Sequence, residues 1–301
     1  MQNLRMLPKL RDSLSYLYVE HAVLDQKNSA IEIIDQTGHV LVPIAALCVL
    51  MLGPGTNITH AAVRALAECG CSVVWTGEDC IKFYSFGCGE TRKGYHLLHQ
   101  ARAVSDPALH KDVVTRMYRF RFEVEPAEEL TLPQMRGLEG VRVREAYQNA
   151  SRKFGVTWNG RNYDRQNWSR SDPINRALSA ANALLNGLCH AAIVSGGYSP
   201  GLGFIHTGKQ LSFVYDIADL YKADFTIPIA FEMVSKSSTN IEKSVREALR
   251  EKFRQERLLE RILPDIDQLL NLPSKLEGEF PADEDQALPE PLWQGEMEQS
   301  I

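Results

Sequence analysis

Near residue 90 the apolar residues of this chain change period, and that switch limits the folds open to it. Up to Phe86 they come in strand-length runs: Leu14 to Leu24, Ala30 to Ile34, His39 to Val42, Ala46 to Leu52, Cys71 to Trp75 and Ile81 to Phe86. Asp35-Gln36-Thr37-Gly38 reads as a turn between two of them. One helix is expected among the strands, capped by Thr56 or Asn57, running through Ala67 and stopped at Gly70. From about residue 94 the spacing is helical, over Leu97 to Val104, Ala108 to Phe122 and Pro133 to Phe154. A long small-residue helix starts at Asp172-Pro173 and runs to Val194, and Asp216 to Lys222, Ile227 to Val234, Ile241 to Phe253 and Leu258 to Leu270 follow. Strands first and helices after predict an α+β chain. We read residues 1–87 as a small N-terminal β-rich domain and 88–272 as a larger α-helical domain carrying the catalytic residues. Residues 273–301 read as an acidic disordered tail.

The net charge of −5 hides an uneven distribution. Residues 273–301 contain eight acids and Lys275 as the only base, whereas residues 1–272 hold 32 bases against 30 acids. Between 131 and 222 eleven bases face six acids, which makes a polyanion a plausible partner there. No apolar run is long enough to span a bilayer, and MQNLRMLPKLRDSL lacks a signal core. Cysteines 48, 69, 71, 80, 88 and 189 form no CxxC pair. Free, reduced thiols and a cytoplasmic setting are expected, with no membrane partner.

Two segments carry candidate chemistry. In GFIHTGKQLSFVYDIADLYK, Asp216 and Asp219 are spaced to share a helix face, about 5–6 Å apart at Cβ. Like charges that close need a positive group nearby. Such a pair commonly faces solvent, but Phe213, Val214, Ile217, Ala218 and Leu220 surround these acids. With His206 just upstream they suit a divalent ion of the Mg²⁺ or Mn²⁺ kind. In MRGLEGVRVREAY, Gly137 and Gly140 bracket Glu139 within a helical pattern. They mark either a helix crossing at small residues or a close approach of something to Glu139. Gly203 to Lys209 nearly matches a P-loop, but Gln210 stands where a Ser or Thr should bind Mg²⁺, so nucleotide binding is not expected.

The bases have a matching use. Arg142, Arg144, Arg161, Arg165, Arg176, Lys209 and Lys222 could contact phosphates without reading sequence. Trp158, Tyr163 and Trp168 interleave with Arg161 and Arg165, either as stacking groups in a strand-binding groove or as packing residues. Arg64 and Lys82 could extend the basic path into the β-rich part.

GLEGVRVREAY, VTWNGRNYDRQNW and GFIHTGKQLSFVYDIADLYK, taken together, resemble CRISPR-associated protein one, the spacer-acquisition integrase, in its type I-E form. The likeness runs from the first strands, through LGPGTNITHAAVR, to about residue 235. It implies the same two-part layout and a metal held by Glu139, His206 and Asp219, with Asp216 as an additional acid. It implies a DNA endonuclease and integrase using Mg²⁺ or Mn²⁺. Such a protein joins the 3′-hydroxyls of captured double-stranded fragments to the CRISPR repeat by transesterification. The implied partners are a second copy of the chain and CRISPR-associated protein two. A tyrosine that braces the splayed fragment in type I-E relatives has His21 in its place here. Two alternatives remain at this point: a structure-specific repair nuclease on branched DNA, and a metal-free DNA-binding scaffold.

Overall fold

In the computed structural model of the chain, which describes residues 16–47, 49–77, 83–87, 94–122, 130–161, 172–236 and 239–272, the N-terminal strands build two four-stranded sheets. The first is ordered β1 (Tyr16–Val19), β5 (Val49–Leu52), β7 (Ser72–Thr76), β8 (Phe83–Gly87). Its first three strands are parallel and β8 is antiparallel to β7. In the second sheet β2 (Val23–Lys27), β3 (Ala30–Asp35) and β4 (Gly38–Pro43) form an antiparallel meander, and the short β6 (Asn57–Ile58) joins β2 in parallel.

Alternation along the strands sets the packing. Leu24, Ile31 and Ile33 share a core with Leu50, Leu52 and Val73 and with Ala62 and Leu66 of α1 (His60–Glu68). All of β5 is buried, as a strand covered on both faces must be. Its other cover is α5 (Pro173–Ser195), which touches both β5 and β7. Among the described helices α5 alone is long and apolar enough to cross a membrane, and it is mostly buried inside the fold. It is the spine of the helical part. Helices α6 (Ser212–Tyr221), α7 (Ile227–Lys236), α8 (Ile241–Gln255) and α9 (Leu258–Leu270) all pack on it.

Helix ends follow local chemistry. Thr131 and Gln134 make a capping box at the start of α4 (Leu132–Phe154), which ends at Gly155 with φ 65°. Asp172 accepts the Ile174 N–H at the start of α5, with Pro173 in the first turn. In the turn after β3, Asp35 accepts the Thr37 N–H at 2.7 Å and the Gly38 N–H at 3.2 Å.

Among the boundaries that differ from expectation, three have a visible local cause. The first helix starts at His60 behind Thr59, which accepts the Ala62 N–H. Asn57 and Ile58 are drawn out of it by pairing with Val23 and Leu24. The Leu14 to Leu24 run breaks at His21, which adopts φ 51° and donates its N–H to the Pro54 carbonyl. Gly55 lies against the His21 ring, where an added Cβ would fall 2.5 Å from Nδ1. Helix α6 begins four residues before Asp216, with the Phe213 N–H on the Pro200 carbonyl. The cysteines described as free, Cys69, Cys71 and Cys189, are all buried. Residues 273–301, expected as a tail, lie outside the described residues.

Candidate active site

Between α5 and α6 the chain closes into a tight loop at Gly203, where a Cβ would lie 2.3 Å from the His206 carbonyl oxygen. The loop aims three successive N–H groups at the Asp216 carboxylate: Phe204 at 2.6 Å, Ile205 at 3.1 Å and His206 at 2.8 Å. His206 Nδ1 makes a fourth contact at 2.8 Å. The Asp216 oxygens are the acceptors of all these contacts, so Nδ1 is the ring nitrogen that donates toward Asp216. The bond to Asp216 raises the His206 pKa; burial opposes it and the Asp219 charge adds to it. Asp216 is wholly buried, whereas the His206 ring is 44% exposed.

Asp219, one turn further along α6, has a different environment. It lines a cavity of about 520 Å³ together with Glu139 of α4. Arg121, from α3 (Pro107–Phe122), which follows α2 (Gly94–Ser105), reaches both carboxylates: its Nη2 is 2.5 Å from Glu139 Oε1 and 3.7 Å from Asp219 Oδ2. The Lys222 ammonium bonds the other Asp219 oxygen. Arg121 and Lys222 therefore supply the positive charge that two neighbouring carboxylates need. Tyr118, one turn before Arg121, is pushed up to about 12, first by burial and then by the Glu139 charge. After α6 the backbone widens into a π-helical turn, Lys222–Thr226, a device common at functional sites. It brings Lys222, Ala223 and Asp224 to the cavity wall, and the Thr226 hydroxyl anchors it to Asn182 at 2.9 Å.

The donor chemistry fits an ion of the Mg²⁺ or Mn²⁺ kind: hard carboxylate oxygens on an open cavity, and an imidazole whose outward Nε2 is set by a buried acid. Of the expected ligands, the fold brings Glu139 and Asp219 together. His206 stands outside the cavity lining, and among the described residues no three His, Cys, Asp or Glu side chains cluster closely enough to hold an ion.

The model of the family described as CRISPR associated protein Cas1 matches residues 111–260, the stretch that holds all of these side chains. CRISPR-associated endonuclease Cas1 2 of Thermus thermophilus is 57% identical over 302 residues, covering 100% of this chain and 93% of that protein. The chain belongs to the Cas1 family. CRISPR-associated endonuclease Cas1 of Escherichia coli K12 is 38% identical over 262 residues, covering 87% of this chain and 86% of that one. A crystal structure of a TtCas1-DNA complex superposes with a TM-score of 0.78 at 59% identity, over 89% of this chain and 100% of that one.

In this member of the Cas1 family the expected phosphate contacts fall into groups. Arg142, Arg161 and Lys222 line the cavity. Arg144 is exposed on α4 and donates to the Gly140 carbonyl at 2.9 Å, Lys209 is exposed on the loop before α6, and Arg64 is exposed on α1 beside Glu68. Arg176 is committed elsewhere, to Glu242 through contacts of 2.7 and 2.9 Å. Lys82, Arg165, Trp168 and Tyr163 lie outside the described residues. Trp158 stacks on Tyr147, a cavity-lining residue, at 4.5 Å and meets the edge of Phe231. Among the described residues nothing comes within 4 Å of a Cβ built at Gly137 or Gly140. Among the described residues no helix crosses at these glycines.

Sequence reasoning missed Arg121, Tyr118 and Asn182. A signal for the first was present in Tyr118-Arg119-Phe120-Arg121-Phe122. Residues two apart point to different sides of a helix, so arginines alternating with aromatics cannot both face solvent while the aromatics pack.

Proposed function

We propose that this chain is a metal-dependent DNA endonuclease and integrase of CRISPR adaptation, of the type I-E form, acting in the cytoplasm. One observation carries this reading: Glu139 and Asp219, distant in sequence, meet on one cavity whose wall also presents Arg142, Arg161 and Lys222. Carboxylates at the centre and bases around them are what phosphodiester chemistry on a polyanion requires. The endonuclease names of its relatives and the DNA-bound structure of a 59% identical protein support it.

In this reading Glu139 and Asp219, with His206, would hold Mg²⁺ or Mn²⁺, which when bound neutralises charge on the reacting phosphate and readies the attacking oxygen. Arg142, Arg161 and Lys222 draw DNA strands into the cavity and fix the phosphate in place. Asp216 keeps His206 in one tautomer and orientation. Lys222, bonded to Asp219, is placed to stabilise charge developing on the phosphate or on the leaving oxygen. The attacking group is the 3′-hydroxyl of a captured fragment in strand joining, or water in cleavage. The chain works as a homodimer with CRISPR-associated protein two, as the sequence resemblance implies.

The test supplies the chain with that partner protein, a short duplex bearing 3′-hydroxyls, a repeat-bearing plasmid and Mg²⁺ or Mn²⁺. Fragment insertion at the repeat is expected. Cleavage of branched DNA with no insertion would replace this reading by that of a repair nuclease, and DNA binding with neither product would leave a scaffold.

A further inference from the structure

Three of the four oxygens on Glu139 and Asp219 face side-chain cations, two of them Arg121. Arg121 is 8% exposed, and a guanidinium keeps its charge at any pH a folded protein meets. At 2.5 Å its contact with Glu139 is a short, charge-assisted bond. A divalent ion of the Mg²⁺ kind needs carboxylate oxygens at about 2.1 Å. Arg121 Nη2 lies against Glu139 Oε1 and within ion-pair distance of Asp219 Oδ2, so it already occupies one oxygen of each carboxylate.

We propose that Arg121 is a built-in competitor for the divalent ion: its guanidinium tethers Glu139 to Asp219 and must withdraw before an ion can use both. The proposal rests on the reading that a divalent ion uses these two carboxylates. Since Arg121 cannot give up its proton, it yields only by moving. A buried guanidinium that loses its carboxylates needs another anion. A DNA phosphate in the same cavity supplies one, and the guanidinium fork matches phosphate geometry. Arg121 thus makes ion binding and DNA binding favour each other, and by linkage the effect is mutual. It also keeps the carboxylates paired when no ion is present.

The experiment is calorimetric titration of the full chain with Mn²⁺, wild type against Arg121→Gln, with melting recorded in chelator. The variant should bind Mn²⁺ roughly ten- to a hundredfold more tightly, the factor gained when one charge-assisted contact need not be broken, and should melt lower in chelator. Adding a short duplex should tighten Mn²⁺ binding in wild type more than in the variant. Arg121→Lys, with a shorter reach, should fall between the two. Should Arg121→Gln fail to fold, Arg121→Lys and arginine-labelled wild type decide, because the Arg121 Nε–H resonance must shift on adding Mg²⁺. Equal or weaker Mn²⁺ binding in the variants, or an unmoved Arg121 resonance while the ion binds, overturns the competitor role alone. Failure of wild type and variants alike to bind Mn²⁺ overturns the metal reading and this proposal with it.

Discussion

Asp216 bonds the His206 ring at 2.8 Å and gathers the backbone N–H groups of Phe204, Ile205 and His206 on the same buried carboxylate. Asp219, three residues on, instead meets Lys222 and Arg121 at the cavity. One acid shapes the loop and the other lines the cavity.

Replacing each by Asn should therefore give different failures. Asp216→Asn puts an NH₂ where only acceptors serve, and should cost about 1–3 kcal/mol of stability while leaving some strand joining. Asp219→Asn should melt near wild type and lose joining almost entirely. Melting curves beside a joining assay separate the two, and the opposite ranking would mean that the ligand and its support have been exchanged.

Burial lowers the His190 pKa to about 4, with the ring stacked on Phe83 at 3.6 Å. The sign follows from linkage: above about pH 6.5 the ring is neutral in both states, and below it the unfolded chain takes up a proton that the folded chain refuses. Stability should fall as pH drops from about 6.5 toward 4, by about 2 kcal/mol at pH 5 from this one residue. His190→Leu should flatten the fall in melting temperature between pH 7 and pH 5. An unchanged slope would show that other groups set the acid sensitivity.

Arg161 and Arg176 should behave as opposites. Arg161 lines the cavity, so Arg161→Ala should weaken DNA binding equally for all sequences and reduce the salt slope by about one. Arg176 holds Glu242 across α5 and α8, so Arg176→Ala should lower the melting temperature and leave the slope alone. Binding isotherms at several salt concentrations distinguish them.

Most of the fold was legible because hydrophobic period and capping agree along the chain. The strand-to-helix switch, the Asp35 turn and the Asp172-Pro173 start each have a local cause. The helix start at His60 was not legible, because pairing of Asn57 and Ile58 with β2 overrides a local cap. At the site, the identities of Glu139 and Asp219 could be read by resemblance, but their convergence on a cavity depends on how α3, α4 and α6 pack. The split between Asp216 and Asp219 was hidden for the same reason: equal spacing on a helix does not say which acid a distant loop will claim. Arg121 and the Trp158–Tyr147 stack are likewise products of tertiary packing.

If Glu139 and Asp219 hold a divalent ion for strand transfer, Mn²⁺ binding followed by electron paramagnetic resonance on Glu139→Ala and Asp219→Ala, with joining assayed on the same samples, will show it. Both variants should stay folded, Glu139→Ala melting lower because Arg121 loses its nearest carboxylate, and both should lose the bound-Mn²⁺ signal and form no joined product in Mg²⁺ or Mn²⁺. If either variant kept wild-type Mn²⁺ binding and wild-type joining, the two carboxylates would not be the metal site.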